Sequence, residues 1–443
     1  MLTAYGYKLN KKDVDERAIL DILTVKPGND FMGDQNDVDS EFCVCLETKK
    51  HIYVPKYYGL TTYGLPTTTV LPEPTSIDFE FIGTVMQCQK EPINTFLQAA
   101  SNPLKMGGIL QLPPGFGKTV MALNIISILS KRTLVIVHKE FLMNQWKERI
   151  QQYLPKATIG IMKQNKFEID NDIVIASLQT ICSRDYDSSA FASFGFAVID
   201  ECHHIGAKVF SRALNKINFR YTLGLSATVN RKDGLSKVFK WYIGDVVYKI
   251  SSKETSVVTE VQIHKFKSND INYKRECFIS NGKMNIARMI TNVCECVERN
   301  EYIANIVNSI LTNESTRNII LLSERRKHLD DISKYFAKDV YGFYVGGMKN
   351  SELELSKTKR LLLGTFNMVS EGFDLPKLDT LILATSKSDI EQSVGRIQRK
   401  HTYTDDDNTP RIIDIVDSFS VFGRQAAKRA SFYKKKKYDF LKS

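Results

Sequence analysis

The residues with the clearest chemical potential lie in the segment QLPPGFGKTVMA, residues 111–122. An apolar run precedes Gly115 and Gly117, and a helix-like run follows Lys118 and Thr119. Glycines let backbone N–H groups converge on phosphate oxygens, and the start of a helix adds partial positive charge. The lysine can reach the outer phosphates, and the threonine hydroxyl can bind a magnesium ion. The segment therefore predicts a loop that binds the phosphates of a nucleotide.

Two adjacent carboxylates, Asp200 and Glu201, follow an apolar run that is typical of a buried strand. An acid at that position can hold magnesium, directly or through water, opposite Thr119. The second carboxylate can orient or deprotonate an attacking water molecule. His203 and His204 come next, and we interpret them as a polar relay between lobes rather than as zinc ligands.

Two further segments flank these groups. Gln89 lies upstream of the glycine-rich loop, where an amide that both donates and accepts can pair with the adenine edge. Downstream, Ser226, Ala227 and Thr228 end another strand-like run. Their two small hydroxyls suit a switch of partners between an acid and the γ-phosphate.

The elements that must position these groups alternate between strands and helices. Apolar strand-like runs begin near residues 133, 171 and 195, and an amphipathic helix follows the first of them. Such alternation predicts a doubly wound α/β sheet, with ligands at the carboxyl ends of its strands. Strand-like runs at 317–323, 361–365 and 381–384 imply a second parallel sheet that has no phosphate loop of its own.

The second half carries the segment QSVGRIQRK, residues 392–400. Arg396 and Arg399 are three residues apart, about one helical turn, so both can face the same ligand. A guanidinium near a transferred phosphoryl group stabilises developing charge and can accelerate the reaction by about 10³-fold or more. We therefore predict that Gln392, Arg396 and Arg399 take part in nucleotide hydrolysis.

The segments PPGFGKT, DECHH and SAT, in this order, resemble the first motor domain of a superfamily 2 helicase. The resemblance continues through residues 317–332, 344–349, 361–383 and 392–400, and covers about residues 80–420. It is nearest to the branch of XPB-type and UvsW-type helicases and the transcript-release helicases of large DNA viruses. Departures from the pattern are Leu112 at the first loop position, Cys202 in the acidic segment and Met86 before Gln89.

The resemblance implies two RecA-like lobes in tandem and an enzyme that hydrolyses ATP with Mg²⁺. It adds Pro114, Phe116, Gly372 and Asp374 to the nucleotide contacts. It also implies that nucleic acid is held through its backbone, with weak sequence preference. The residues expected at that contact are Val137, His138, Lys139, Ser177, Gln179 and Thr365.

The predicted domains are a small β-rich N-terminal accessory domain over 1–79, a first lobe over 80–250, a connector over 251–284 and a second lobe over 285–443. The N-terminal region either helps to grip nucleic acid or forms a passive cap on the first lobe. The basic, aromatic-containing segment 423–442 is either a phosphate-tracking helix or a solvated charged helix.

Composition sets the class of partner. The chain has 443 residues and a formal net charge of +11, which favours a polyanionic partner. No apolar run approaches the roughly 18–20 residues needed to span a membrane, and the start of the chain does not resemble a signal peptide. The eight cysteines do not have the usual zinc-ligand spacing. We expect an intracellular protein, in the nucleus or the cytoplasm, and the subtype includes viral proteins.

Three functions are compatible with these motifs. The first is an ATP-dependent DNA helicase or annealing translocase, with RNA as an alternative substrate. The second is a translocase linked to transcription or repair, which acts on a polymerase partner with little strand separation. The third is a nucleic-acid-binding module with a degenerate ATPase, which the intact Lys118, Asp200 and Glu201 argue against.

Overall fold

The computed structural model describes residues 1–26, 41–71, 73–113, 115–186, 188–201, 207–227, 235–250, 258–370, 373, 375–398 and 408–441. The chain divides into two compact units, residues 1–250 and 251–443. Each unit is described by itself below.

The first unit contains fourteen named strands and eight α-helices among its described residues. The strands are β1 (Leu2–Thr3), β2 (Gly6–Asn10), β3 (Thr24–Val25), β4 (Phe42–Cys43), β5 (Leu46–Glu47), β6 (His51–Val54), β7 (Gly107–Gln111), β8 (Thr133–Val137), β9 (Ile159–Lys163), β10 (Lys166–Phe167), β11 (Ile173–Ser177), β12 (Phe196–Asp200), β13 (Tyr221–Ser226) and β14 (Val246–Lys249). The helices are α1 (Glu16–Leu23), α2 (Lys56–Tyr63), α3 (Gln87–Ser101), α4 (Lys118–Leu129), α5 (Glu140–Tyr153), α6 (Leu178–Ser183), α7 (Ala207–Leu214) and α8 (Ser236–Ile243). Short 3₁₀ turns cover Lys11–Asp13 and Ser188–Phe191.

The second unit contains seven strands and seven α-helices among its described residues. The strands are β15 (Glu260–Phe266), β16 (Ile319–Ser323), β17 (Tyr341–Tyr344), β18 (Leu361–Thr365), β19 (Thr380–Leu383), β20 (Arg411–Asp417) and β21 (Asp439–Leu441). The helices are α9 (Ile286–Glu295), α10 (Val297–Asn313), α11 (Arg326–Ser333), α12 (Asn350–Lys357), α13 (Phe366–Ser370), α14 (Glu391–Val394) and α15 (Ser420–Lys436).

Each unit is built on one large sheet of mainly parallel strands. The strand order is β10-β9-β11-β8-β12-β13-β7-β14 in the first unit and β17-β18-β16-β19-β20-β15-β21 in the second. Only β10 and β9 pair antiparallel in these two sheets as described. Successive strand residues alternate between two hydrophobic clusters: Leu134 and Ile136 enter one cluster, and Val135 and Val137 enter the other. Apolar layers therefore cover both faces, and the predicted α/β class with two parallel sheets in tandem is confirmed.

The N-terminal region shares its core with the first unit. Its small antiparallel sheet has the order β1-β2-β6-β5, and β3 pairs with β4. Side chains from α1, β6 and α2 lie in the same hydrophobic cluster as Ile109 and Ile199 of the large sheet. Where the sequence predicts a separate domain over 1–79, the structure places these residues in one compact unit with the rest of the chain up to residue 250.

Polar contacts fix this N-terminal region to the large sheet. The buried Lys56 donates from Nζ to the carbonyl oxygens of Phe219 at 3.0 Å and Arg220 at 2.7 Å. Burial lowers the pKa of Lys56 to about 7. The hydroxyl of Tyr242 donates to the carbonyl oxygen of Val44 at 2.9 Å. These contacts hold the region against the large sheet.

The segment expected as a connector contributes a strand to the second sheet. Residues 260–266 form β15, which pairs in parallel with β20 along its whole length and with β21 on its other side. The prediction of a connector over 251–284 therefore differs from the structure. Strand β15, the first of the second unit, thus lies between β20 and β21, the last two. This position depends on parallel pairing between residues about 150 positions apart in the sequence.

No helix among the residues that the structure describes is long and apolar enough to cross a membrane.

Candidate nucleotide site

The loop between β7 and α4 has the backbone that close approach of phosphates requires. Gly115 and Gly117 both have left-handed backbones, with φ of +81° and +79°. A Cβ atom at position 117 would lie 2.3 Å from Nε2 of Gln89, so sterics and backbone both demand glycine. The helix begins at Lys118, and Thr119 lies in its first turn.

The side chain of Gln89 stabilises this loop by a hydrogen bond to its backbone. The side chain is buried, and its Nε2 donates to the carbonyl oxygen of Phe116 at 3.0 Å. Its Oε1 accepts a hydrogen bond from the backbone N–H of Met86 at 3.0 Å. The sequence predicts an adenine contact for this residue, whereas the contacts described here fix the phosphate loop.

Lys118, at the start of α4, lies next to the carboxylates of Asp200 and Glu201 at the end of β12. Nζ of Lys118 donates to Oε1 of Glu201 at 2.8 Å, and both side chains are mostly buried. Asp200 is 6% exposed, and burial raises its pKa to about 6. The charge of Glu201 raises that pKa further, and the charge of Lys118 opposes the rise. Two neighbouring carboxylates thus share one lysine.

The backbone at Glu201 is strained. Its φ is +46°, a left-handed conformation that side chains other than glycine rarely adopt. Such conformations persist where the surrounding structure holds them, and they concentrate at functional sites. The turn directs Glu201 toward Lys118 as β12 ends.

Trp146 is a site residue that sequence reasoning missed. Its indole Nε1 donates to Oδ2 of Asp200 at 2.9 Å, and the ring is 1% exposed. This contact joins α5 to the end of β12 across 54 positions of sequence. The available signal was the tryptophan on the apolar face of an amphipathic helix, because a buried indole N–H needs an acceptor.

Strand β13 lies between β12 and β7, so it brings a third predicted segment to the same edge. Ser226 ends β13 and pairs with Gln111 at the end of β7. Its carbonyl oxygen accepts a hydrogen bond from the backbone N–H of Leu112 at 2.9 Å. Ala227 follows directly and is partly exposed.

The oxygen donors at this edge suit a small divalent cation. Oδ2 of Asp200 accepts a hydrogen bond from Trp146, and the hydroxyl of Thr119 lies in the first turn of α4. Carboxylate and hydroxyl oxygens are ligands that Mg²⁺ prefers, and a cation would balance the two neighbouring carboxylates. The residues present therefore fit the ion that the sequence predicts.

The residues predicted to touch nucleic acid in the first unit lie together at the ends of β8 and β11. These strands are neighbours, and Ser177 pairs with Val137. Nε2 of Gln179 donates to the carbonyl oxygen of His138 at 2.9 Å, and its Oε1 accepts from the hydroxyl of Ser177 at 2.9 Å. The side chain of Val137 is buried in the core, while Lys139 is partly exposed.

The second unit presents its predicted residues on separate elements. Arg396 follows α14 and is 7% exposed, and its Nη1 donates to the carbonyl oxygen of Phe373 at 2.8 Å. Gln392 lies in α14 and is partly exposed. Thr365 ends β18, beside Ser323 of β16.

Several predicted site residues lie outside the described residues. They are Pro114, His203, His204, Thr228, Gly372, Asp374 and Arg399.

A glycine-rich loop before a helix, a buried acid on a nearby strand and two parallel sheets in tandem define the class of phosphate-loop motor ATPases. A family model described as "Type III restriction enzyme, res subunit" matches residues 83–231. A protein of Acanthamoeba polyphaga mimivirus named as an ATP-dependent RNA helicase is 32% identical over 454 residues, covering 100% of this chain and 86% of the relative. A protein of Escherichia phage T5 named as a helicase is 28% identical, covering 74% of this chain and 71% of the relative.

The fold agrees with a solved structure of a motor on RNA. Dbp5 of S. cerevisiae, bound to RNA and ADP BeF3, matches 81% of this chain and 89% of its own with a TM-score of 0.56 and 11% identity. The chain belongs to the superfamily 2 helicases, in a branch that contains helicases of large DNA viruses and phages. It is an ATP-hydrolysing helicase that uses nucleotide and binds nucleic acid.

Proposed function

We propose that this helicase moves along DNA by its backbone and couples each ATP hydrolysed to translocation or strand separation. The observation that carries the proposal is the 2.8 Å ion pair between Lys118 and Glu201 beside the buried Asp200. A lysine at a helix start attracts phosphate, and a carboxylate next to it can accept a proton from water.

The ion pair suggests an order of events. Incoming phosphates compete for Nζ of Lys118, and the backbone N–H groups around Gly115 and Gly117 bind their oxygens. Once the lysine turns to phosphate, the carboxylate of Glu201 can accept a proton from the attacking water. Hydrolysis then depends on bound nucleotide, since the base is held by the lysine until phosphate replaces it.

We assign magnesium to the Thr119 hydroxyl and the Asp200 carboxylate. The ion supplies positive charge that offsets the charge of the phosphates. Trp146 donates to Oδ2 of Asp200 and so restricts the orientation of the carboxylate. In the second unit, Gln392, Arg396 and Arg399 keep the role in hydrolysis that the resemblance implies.

The nucleic-acid contact of the first unit is assigned to the ends of β8 and β11. The hydrogen bonds among Ser177, Gln179 and His138 hold two loops at one edge of the sheet. Hydroxyl, amide and lysine groups there suit phosphate and sugar, which carry no direct sequence information. Thr365 is the corresponding candidate in the second unit.

RNA is the second candidate substrate. Similar proteins from Acanthamoeba polyphaga mimivirus and from African swine fever virus are named as ATP-dependent RNA helicases. The preference for DNA rests on the resemblance to the repair and transcription branch, and no residue described here requires a deoxyribose. A translocase that acts on a polymerase would use the same motor.

The test is ATP hydrolysis by the purified protein, alone and with single-stranded DNA, duplex DNA or RNA, at two salt concentrations. We expect DNA to stimulate turnover and the stimulation to fade as salt rises. Stimulation by RNA alone would replace DNA by the second candidate. Turnover that no nucleic acid changes would contradict both. Strand-displacement assays then separate a helicase from a translocase with little unwinding.

A further inference from the structure

Helix α15 has one face that is fastened to the second sheet. Phe422, Arg429 and Tyr433 are each 1% exposed or less. Nε of Arg429 donates to Oδ2 of Asp414 at 2.9 Å, and its Nη1 donates to the hydroxyl of Ser386 at 3.0 Å. The hydroxyl of Tyr433 also donates to Oδ2 of Asp414 at 2.9 Å. This face holds the helix firmly on β20.

The opposite face is basic and exposed. Arg424, Lys428 and Lys435 are all exposed, and their spacings of four and seven residues align them in one stripe. The stripe is about 16 Å long at 1.5 Å per residue. No acidic residue occurs from position 418 to position 438. Among the described residues, no carboxylate pairs with these three side chains.

Further lysines lie at the end of the helix. Lys434 and Lys437 are exposed, while Lys436 forms a 2.7 Å ion pair with Glu391. We call the five side chains of Arg424, Lys428, Lys434, Lys435 and Lys437 the basic face. Its positive charge is not balanced by the described part of the second unit.

The aromatic residues next to these lysines are covered to different degrees. Tyr433 is fully buried, and Phe432 packs with ring centroids 6.0 Å from both Tyr433 and Tyr438. Stacking of bases on aromatic rings would require exposed rings. Tyr433 therefore offers no surface to bases, and the five basic side chains offer point charges to phosphates.

The same end of the helix touches the segment that carries Arg396. Besides the pair between Lys436 and Glu391, Nε2 of Gln398 donates to the hydroxyl of Tyr438 at 2.9 Å. Glu391 begins α14, and Gln398 lies two residues after Arg396. The basic face is thus fixed in position relative to this segment.

We propose that the basic face of α15 binds the phosphate backbone of nucleic acid, as a contact additional to the helicase motifs. The proposal rests on the proposed function, since it names a second surface for the same polymer. The uncompensated charge and the rigid fastening together favour a sequence-independent phosphate contact. Of the two roles considered for the segment 423–442, the proposal adopts the phosphate-tracking helix.

The test removes three charges by the substitutions Arg424→Gln, Lys428→Gln and Lys435→Gln in the full chain. Affinity for a fluorescent DNA strand and for the matching duplex is measured over a range of salt concentrations. We expect weaker binding at every salt, with the slope of log affinity against log salt reduced by about 2 for the single strand and about 3 for the duplex. ATP turnover without nucleic acid should equal that of the wild type, because no substituted residue belongs to the nucleotide site.

The matched control removes three lysines that lie together elsewhere in the same unit: Lys327→Gln, Lys334→Gln and Lys338→Gln. Lys327 and Lys334 are already paired with Glu295 and Asp331, so their loss should change the salt slope little. A charge-preserving variant, Arg424→Lys with Lys428→Arg and Lys435→Arg, should bind as the wild type does.

The outcomes separate this inference from the proposed function. If the wild type binds DNA and the triple glutamine variant has the same affinity and slope, the basic face is not a nucleic-acid contact. If the triple variant instead loses only the binding of an acidic protein, that result also overturns the inference. A wild type that binds no nucleic acid at all would sink the proposed function itself.

Discussion

The two units each end a central parallel strand in a buried aspartate, but they treat its charge differently. Asp417 ends β20 and accepts hydrogen bonds from Nε and Nη2 of Arg299 at 2.8 and 2.9 Å. It also accepts one from the hydroxyl of Tyr273 at 2.8 Å. Asp200 ends β12 and accepts a bond from the Trp146 indole, beside a second carboxylate at Glu201.

This difference separates a scaffold from a reactive site. A buried carboxylate with a bidentate arginine has its charge compensated and its oxygens occupied. Asp200 instead lies at the edge of the sheet near the glycine-rich loop, beside Glu201, which forms a 2.8 Å ion pair with Lys118. The same fold thus uses strand-end acids for stability in one unit and for chemistry in the other.

The largest effect is expected from removing the shared lysine. Lys118→Ala should lower ATP turnover by at least about 10³-fold, since the phosphates lose their charged partner. Steady-state phosphate release measures this loss. Lys166→Ala, on the short edge strand β10, is the control and should leave turnover unchanged. Wild-type turnover by Lys118→Ala would remove the loop from the mechanism.

Removing the arginine that pairs with Asp417 should lower the stability of the second unit. Arg299→Met leaves Asp417 buried without its arginine and should destabilise the second unit by about 3–5 kcal/mol. Scanning calorimetry of the full chain measures the shift of the transition. The double variant Arg299→Met/Asp417→Leu should recover most of the loss, because no unpaired charge remains. Equal stability of Arg299→Met and the wild type would show that the pair does not act as scaffold.

The hydrogen bond from the Trp146 indole allows the role of Asp200 to be tested. Trp146→Phe removes the N–H donor to Asp200 while keeping an aromatic ring, and kcat should fall about tenfold. The KM for ATP should change little, because the indole acts by positioning the carboxylate. The thermal midpoint should fall, because the smaller ring leaves a void at a buried position. Trp241→Phe is the matched control, since its indole lies on α8 away from this edge. A loss of kcat in both variants would argue against a specific positioning role.

The effect that is smallest at neutral pH is a pH dependence of stability that belongs to the second unit. His328 is buried between the Ser323 hydroxyl and the Asn300 amide oxygen, and burial, aided by the charge of Arg299, lowers its pKa to about 3. In the unfolded chain a histidine has a pKa of about 6.5. Below that pH the unfolded state takes up a proton that the folded state does not, so stability falls as pH falls.

The expected slope is up to about 1.4 kcal/mol per pH unit between about pH 6 and 3, and no contribution remains above pH 7. Urea unfolding of wild type and His328→Gln over this range isolates the histidine by difference. A wild-type curve parallel to that of the variant would contradict the assignment.

Local patterns made much of the fold and site predictable. The strand Leu361–Thr365 is bounded as the sequence indicates, because an apolar run between polar residues needs no distant partner to be recognised. The meeting of Lys118 with Asp200 and Glu201 follows from parallel strands that end at one edge. These predictions depend on periodicity and on a loop with a fixed order of residues.

What the sequence could not provide depends on contacts between distant segments. The bond from Trp146 to Asp200 and the support that Gln89 gives to the loop follow only from packing of α5 and α3. Strand β15 looks like a connector because most of its residues are only partly buried, and its place in the sheet depends on pairing with β20. The burial of Lys56 could not be foreseen, since lysine is normally exposed.

The most direct test of the central claim is the substitution Glu201→Gln, assayed for ATP binding and for hydrolysis in a single turnover. The account predicts that ATP binds with nearly wild-type affinity, because Lys118 and the loop remain, while hydrolysis falls by orders of magnitude for want of a base. Hydrolysis at the wild-type rate would contradict the claim that the charged strand end of the first unit carries out the chemistry.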